Sequence, residues 1–538
     1  MLKKGGRGLL TLILMVSLFL SACGGGGDSD ADGSQVLKLN LGNGEPTSLD
    51  PAQAFDSNSM EVVYNLFEGL MRLDENEKPQ PAAAENVEVS DDGLTYTFTL
   101  RDDLQWSNGD PVTAEDFEFA WKRVLDPETA SGAAFLMYFI KNGEAYNAGE
   151  AEADEVGVKA EDEKTLVVEL EQPTPFFEEL TSYSVFSPVH KASVEGNDKA
   201  FAEADEYISN GPFSMTGWKH KNKITASKNE HYRDADAVKL SGVEWSMVED
   251  KTTIYQLFKK GDLHIADDDA PPDLMGSLIE KGEARVADSS GLEFYRFNTT
   301  VEPFTNKKVR QAFALAVDRQ AIVDNVTQKQ QQIALGFVAP GTVTESGDFR
   351  EGGKEVLKDA QFEEAKKLLE EGMEEEGWNK LPKVEILYNK DDQHKKIAEA
   401  IQEMYREHLG VEVGLQAREV GVFFDEQKGL DFSLSRSTIL PDYNDPYNYL
   451  ESFTTDHPMN RTGWSDKKYD QLLQQANGEN DEAKRMDLLH QAEERLLEEV
   501  PMFPLFYYNN VILEQENVKG VLRHNVGPND YKNVEIEG

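Results

Sequence analysis

The chain has one cysteine, Cys23, in 538 residues. A lone thiol closes no intramolecular disulfide, so the fold must rest on its hydrophobic core. Cysteine-ligated zinc is excluded, as is thiol catalysis anywhere beyond position 23. Histidine is also scarce: the nine residues lie at 190, 220, 231, 264, 394, 408, 457, 490 and 524, with no two at the spacing of a helix-borne metal pair. No G-x-S-x-G elbow, phosphate-cradling P-loop or H-E-x-x-H helix occurs, and Gly42-Asn43-Gly44 lacks the third glycine of a dinucleotide fingerprint. Positive charge is short, with 54 Lys and Arg against 100 Asp and Glu, a net charge of −46. That surface repels phosphate backbones, so nucleic acid is not an expected partner. These absences argue against an enzyme and against a metal or cofactor.

What is present begins with a targeting pattern. Lys3, Lys4 and Arg7 precede the apolar run Leu9 to Leu20, which at 12 residues falls short of the roughly 20 needed to span a bilayer. Leu20-Ser21-Ala22-Cys23 follows at once and resembles the lipobox of bacterial lipoproteins, in which the cysteine is thioether-linked to diacylglycerol. The reading is a signal peptide over 1–22, then a lipidated Cys23 and a flexible tether to residue 34. The tether has the Gly-rich composition of a flexible linker. Asp28, Asp30, Asp32 and Gly33 imitate the start of a calcium loop, but the twelfth position is Leu39 and not the required Glu.

From residue 35 the pattern is that of mixed α/β domains, three or four units at roughly 150 residues each. Alternating strands are expected at 36–41, 95–100, 165–170 and 242–247. Helices are expected over 253–260, 306–317, 362–371, 395–409 and 482–499, with another opening at Thr113, where Asp116 completes a capping-box variant. Asn108-Gly109 predicts a turn. Asp267-Asp268-Asp269 reads as an acidic loop in preference to a cation site.

Six segments, in order, resemble the oligopeptide-binding proteins of ABC importers, the peptide/nickel-type solute receptors of family 5. They are Glu45-Pro-Thr-Ser-Leu-Asp-Pro51, Leu104-Gln-Trp-Ser-Asn-Gly-Asp-Pro-Val-Thr-Ala-Glu-Asp-Phe117, Asn210-Gly-Pro-Phe213, Pro303-Phe-Thr-Asn-Lys-Lys-Val-Arg-Gln-Ala312, Asp392-Gln-His-Lys-Lys-Ile397 and Pro441-Asp-Tyr-Asn-Asp-Pro446. The resemblance implies a periplasmic-binding-protein-like fold of two lobes about a hinge, with an additional inserted domain. Domain I is expected over 35–72, 187–290 and 505–538, domain II over 73–186 and domain III over 291–504. It also implies an extracytoplasmic monomer, held at the cell membrane by its lipid (in the periplasmic space of a Gram-negative host). Such a receptor closes on short peptides and passes them to permease subunits.

The family's A-D-Y-N-D/E-P-type aspartate receives the peptide α-amine, and Asp442 occupies that position, with Pro441 in place of the usual small residue. Asp442 read alone also suits an Asx-turn before Tyr443. Arg436 and His394 match positions that help receive the peptide carboxylate in some members; otherwise they are a salt-bridge arginine and a helix-start histidine. Phe294, Tyr295 and Tyr138 fall in cleft-lining segments or, equally, in the core. Ser437 to Leu440 stand where a tryptophan often precedes the motif, which leaves the first side-chain pocket open. A dipeptide, nickel-chelate or sugar cargo, or a peptide-signal receptor, remains the alternative.

Overall fold

The structure, a computed structural model, describes residues 35–538 apart from 43, 198, 345 and 346. The expected signal segment, Cys23 and the tether lie outside the described residues. Strand β1 (Val36–Asn40) starts the first lobe, and its alternate residues Leu37 and Leu39 enter the core. The chain then builds an inserted antiparallel sheet from β2 (Ala84–Val89), β3 (Thr95–Leu100), β4 (Val158–Ala160) and β5 (Thr165–Glu169), in the order β2-β3-β5-β4. Helix α1 (Ala114–Leu125) covers it. Asp116 fixes the start of α1: its Oδ2 accepts from the Thr113 N–H at 2.9 Å and from the fully buried Trp106 indole at 3.3 Å. The Asn108-Gly109 turn forms, with Gly109 at φ +90°. The Trp106 segment is therefore structural: it closes a turn, fills the core and caps a helix.

The chain returns through β6 (Phe213–Lys219), β7 (Lys223–Lys228) and β8 (Gly242–Ser246), giving the first-lobe order β1-β8-β7-β6. It crosses to the second lobe on β9 (Arg285–Phe297), which joins β10 (Val384–Asn389), β11 (Val413–Arg418), β12 (Leu434–Ile439) and β13 (Met502–Ile512) in the order β11-β10-β12-β9-β13. Strand β10 is parallel to both β11 and β12. The antiparallel pair β9–β13 spans both lobes. Val511 packs into a first-lobe cluster with Ile254 and Phe258, whereas Tyr295, Phe297 and Phe503 belong to the second-lobe core. The pairing of β9 and β13 is irregular between Asp288 and Leu292. Gly291 sits there at φ +115°, and a Cβ on it would lie 2.7 Å from the Ile439 carbonyl. The expected boundaries at 290/291 and 504/505 fall inside these two crossing strands.

The anticipated helices form, within a few residues at their ends, as Lys251–Lys260, Lys307–Leu315, Phe362–Glu375, α2 (Asp392–Met404) and, after α3 (Pro446–Glu451), α4 (Glu482–Glu499). Asp267 bonds Arg523 at 2.8 Å, Asp268 faces Lys329 at 3.3 Å and Asp269 accepts from Asn40 at 3.2 Å, so each acid of that loop has its own partner. Among the described residues no helix is long and apolar enough to cross a membrane, and no His, Cys, Asp and Glu group is placed to hold a metal ion.

Candidate functional site

Strands β10, β11 and β12 end at Asn389, Arg418 and Ile439 along one edge of the second-lobe sheet. The space beyond the carboxyl ends of such strands is where open α/β sheets bind ligands. Asp442 stands there, three residues past β12. Its N–H donates to Asn448 Oδ1 at 2.7 Å, and burial pushes its carboxyl up to about 6, against a lowering hydrogen bond from the Asn448 amide. Glu451, at the end of α3, accepts from the Tyr443 hydroxyl at 3.1 Å and from Asn448 Nδ2 at 3.2 Å. Burial, with the charges of Asp442 and Asp445 added, pushes it up to about 7. Neither Asp442 nor Glu451 has an ion-pair partner among the described residues. Two desolvated carboxyls without a cation form a site that an incoming ammonium would stabilise.

Asp445 is different. Its carboxylate grips Arg485 of α4 at 2.7 and 2.9 Å, with both residues buried, and it caps α3 through the Tyr447 N–H. The motif thus contains one committed aspartate and one uncommitted aspartate.

The segment 443–445 also meets the inserted domain. The Tyr443 ring stacks on Phe176 at 4.4 Å between centroids, and Phe139 approaches it edge-on at 6.4 Å. The Asn444 N–H donates to Glu179 Oε1 at 2.6 Å, and burial pushes Glu179 up to about 7. Beside these contacts lies an interlobe cavity of ≈ 530 Å³, bordered by Phe176, Glu179, Asn444, Asp445 and Arg485. The Asn444 amide, 2% exposed, has no hydrogen-bond partner for either side-chain polar atom.

The structure brings Arg436 and His394 together. Arg436, on β12, forms a bidentate pair with Glu293 of β9, with Nε to Oε1 and Nη2 to Oε2 both at 2.6 Å. Tyr508 of β13 donates to the same carboxylate at 2.6 Å, and Asn389 receives Arg436 Nη1 at 3.4 Å. His394 sits at the start of α2, and its N–H is capped by Asp391. Burial and then the Arg436 charge pull the His394 imidazole below its ordinary pKa.

The three aromatics are placed differently. Phe294 and Tyr295, on opposite faces of β9, are 2% and 0% exposed; Phe294 packs on Phe337 and Phe453, and Tyr295 stacks on Phe503. In this conformation neither presents surface to a ligand, because β9 is covered on both faces. Tyr138 is half-buried in the inserted domain, its hydroxyl held by Asn147 at 2.7 Å. Sequence reasoning missed Glu293, Tyr508, Glu451, Phe176 and Glu179. Of these only Glu451 carried a local signal, lying nine residues after Asp442 across one short helix.

A family model described as bacterial extracellular solute-binding proteins, family 5 Middle, matches residues 78–461. The dipeptide-binding protein DppE of Bacillus subtilis is 48% identical over 501 residues, covering 93% of this chain and 92% of the relative. The oligopeptide-binding protein OppA of the same organism is 41% identical, covering 98% of each. Among solved structures, the substrate-binding domain of an oligopeptide ABC transporter from Bacillus anthracis superposes with a TM-score of 0.76 at 34% identity, covering 94% of this chain and 99% of the other. With a two-lobed fold, an uncommitted acid at the strand ends and these relatives, the chain belongs to the bacterial extracellular solute-binding proteins of family 5.

Proposed function

We propose that this protein captures oligopeptides between its lobes and delivers them to an ABC permease for import, with Asp442 as the group that holds the peptide's α-ammonium. The single observation carrying the site is the Asp442 carboxyl, half-buried, shifted toward neutrality and without a cation of its own among the described residues. A buried ammonium needs such a partner, since leaving either charge alone costs several kcal/mol. The rest of the ligand would bind as an extended strand through main-chain hydrogen bonds, with side chains in hydrated pockets. The β9–β13 crossing supplies the hinge, and the contacts of Tyr443 and Asn444 with Phe176 and Glu179 are those made when the lobes meet. Lipidation at Cys23 would hold a monomeric, non-catalytic receptor on the extracytoplasmic face of the cell membrane. That part is supported by the Leu20-Ser-Ala-Cys23 sequence.

The test is calorimetric titration with a tri- to pentapeptide library beside the same library N-acetylated. Binding of the free-amine library alone, lost by about two orders of magnitude in Asp442→Asn with the melting temperature kept, is the expected result. A matching loss of fold would make Asp442 structural. A second reading, dipeptide cargo, is favoured by the dipeptide-binding relative at 48% identity. Dipeptides binding more tightly than tripeptides in the same titration would select it.

A further inference from the structure

The cavity beside the Tyr443–Phe176 stack is separate from the amine site: neither Asp442 nor Glu451 borders it. At ≈ 530 Å³ it has the size of a small-molecule site. Its walls come from distant parts of the chain. The hairpin joining Met71–Leu73 to Pro79–Pro81 supplies Glu77, the inserted domain supplies Glu178 and Glu179, and the second lobe supplies Asn444, Asp445 and the start of α4. Five of the bordering side chains are carboxyls, with Glu482 the fifth. Lys78 and Arg485 are the basic ones, and Arg485 is already spent on Asp445. Burial pushes Glu179 up to about 7, and the charges of Asp445 and Glu77 add to the push. A space lined in this way is short of positive charge.

Two polar groups in the wall also lack hydrogen-bond partners among the described residues. The Asn444 amide, 2% exposed, uses neither its oxygen nor its nitrogen. The Glu77 side chain, 8% exposed, accepts from the Asn525 N–H at 3.2 Å through Oε1, but its Oε2 has no hydrogen bond, with His524 Nδ1 3.5 Å away. Buried polar atoms left unpaired are costly, and a ligand that reaches them removes that cost. The two vacant acceptors stand on different walls, which suits a ligand carrying more than one cationic donor. Among the described residues no His, Cys, Asp and Glu group is placed to hold a metal ion, and the space far exceeds one ion. We propose that this cavity is a second binding site, for a flexible di- or polyamine whose ammonium groups reach Glu77 on one wall and Asn444 with its neighbouring acids on the other.

Spermidine, with three ammonium groups, is the probe, titrated calorimetrically at about 150 mM salt, where screening suppresses loose attraction to the acidic surface. The expected wild-type result is one molecule per chain. Asn444→Leu and Glu77→Gln should each weaken it at least about tenfold, whereas Asp442→Asn should change it by less than about threefold. No binding overturns the site, as do several molecules per chain with no dependence on Glu77 or Asn444. Loss of spermidine in Asp442→Asn places the cation at the amine site and overturns the proposal equally. If Glu77→Gln does not fold, Asn444→Leu decides, since it replaces an unpaired amide by an apolar group of like size. One further arm rests on the peptide-receptor reading: saturating peptide should leave spermidine affinity equal or tighter, because both ligands favour lobes that meet. Displacement of spermidine by peptide overturns the second site. Spermidine binding with no peptide binding at all would overturn the peptide reading and leave this one standing.

Discussion

Burial holds the Asp442 carboxyl near pH 6, while a peptide α-amine titrates near 8. Only the ionised acid attracts the ammonium, so peptide affinity should peak between about pH 6.5 and 7.5. It should fall below pH 6 as Asp442 takes up a proton, and above pH 8 as the amine loses one. Calorimetric Kd values from pH 5 to 9 check this, and a flat profile would remove Asp442 from the ligand. The sign for stability is the reverse: a carboxyl whose folded-state pKa is raised makes the unliganded protein less stable as pH climbs from the ordinary carboxylate range to about 6. Asp442→Asn should relieve that, which is why loss of binding without loss of fold is the expected pattern. At this scale the sequence was informative where chemistry is local. The Asp442 expectation rests on a contiguous Asp-Tyr-Asn-Asp-Pro, whereas Glu293, the ion-pair partner of Arg436, is 143 positions away along the chain and no spacing rule reaches it.

Short elements translate the motif into two roles. Helix α3 starts on Asp445, and α4 supplies Arg485, which grips that aspartate and lies over the Phe176 ring at 5.9 Å. Removing one member of a buried pair strands the other, so Asp445→Asn should lower unfolding stability by about 3–5 kcal/mol. Urea denaturation monitored by tryptophan fluorescence measures it, and an unchanged midpoint would show that Arg485 has found another partner. Elements whose periodicity or caps are local were legible. The Thr95–Leu100 strand alternates in and out, and α1 carries its cap in Thr113 and Asp116. The crossing strands β9 and β13 were not read, because a strand covered on both faces shows no alternation. From Leu292 to Phe297 every residue of β9 is buried. The same fact explains the two aromatics: adjacent residues on a strand point to opposite faces, and here each face has its own core.

The net charge of −46 sets the behaviour of the whole molecule at a membrane. An acidic body is repelled by anionic headgroups, so electrostatic attraction to the lipid surface does not favour attachment. Two acyl chains suffice for stable anchoring. Cys23→Ser should therefore shift the protein from the membrane fraction to the soluble one, as read by fractionation and immunoblot, and persistence in membranes would discard the lipid anchor. The first lobe also depends on distant parts of the chain. Tyr531 donates its N–H to Asn65 at 2.9 Å and its hydroxyl to Glu61, and Gln35 bonds the Ile536 carbonyl at 2.8 Å. Its core includes Val518, Val526, Tyr531 and Val534 beside Leu37 and Val62. During synthesis that lobe cannot be completed until residues 518–536 have left the ribosome. The emerging chain stays open longer than one built from successive domains.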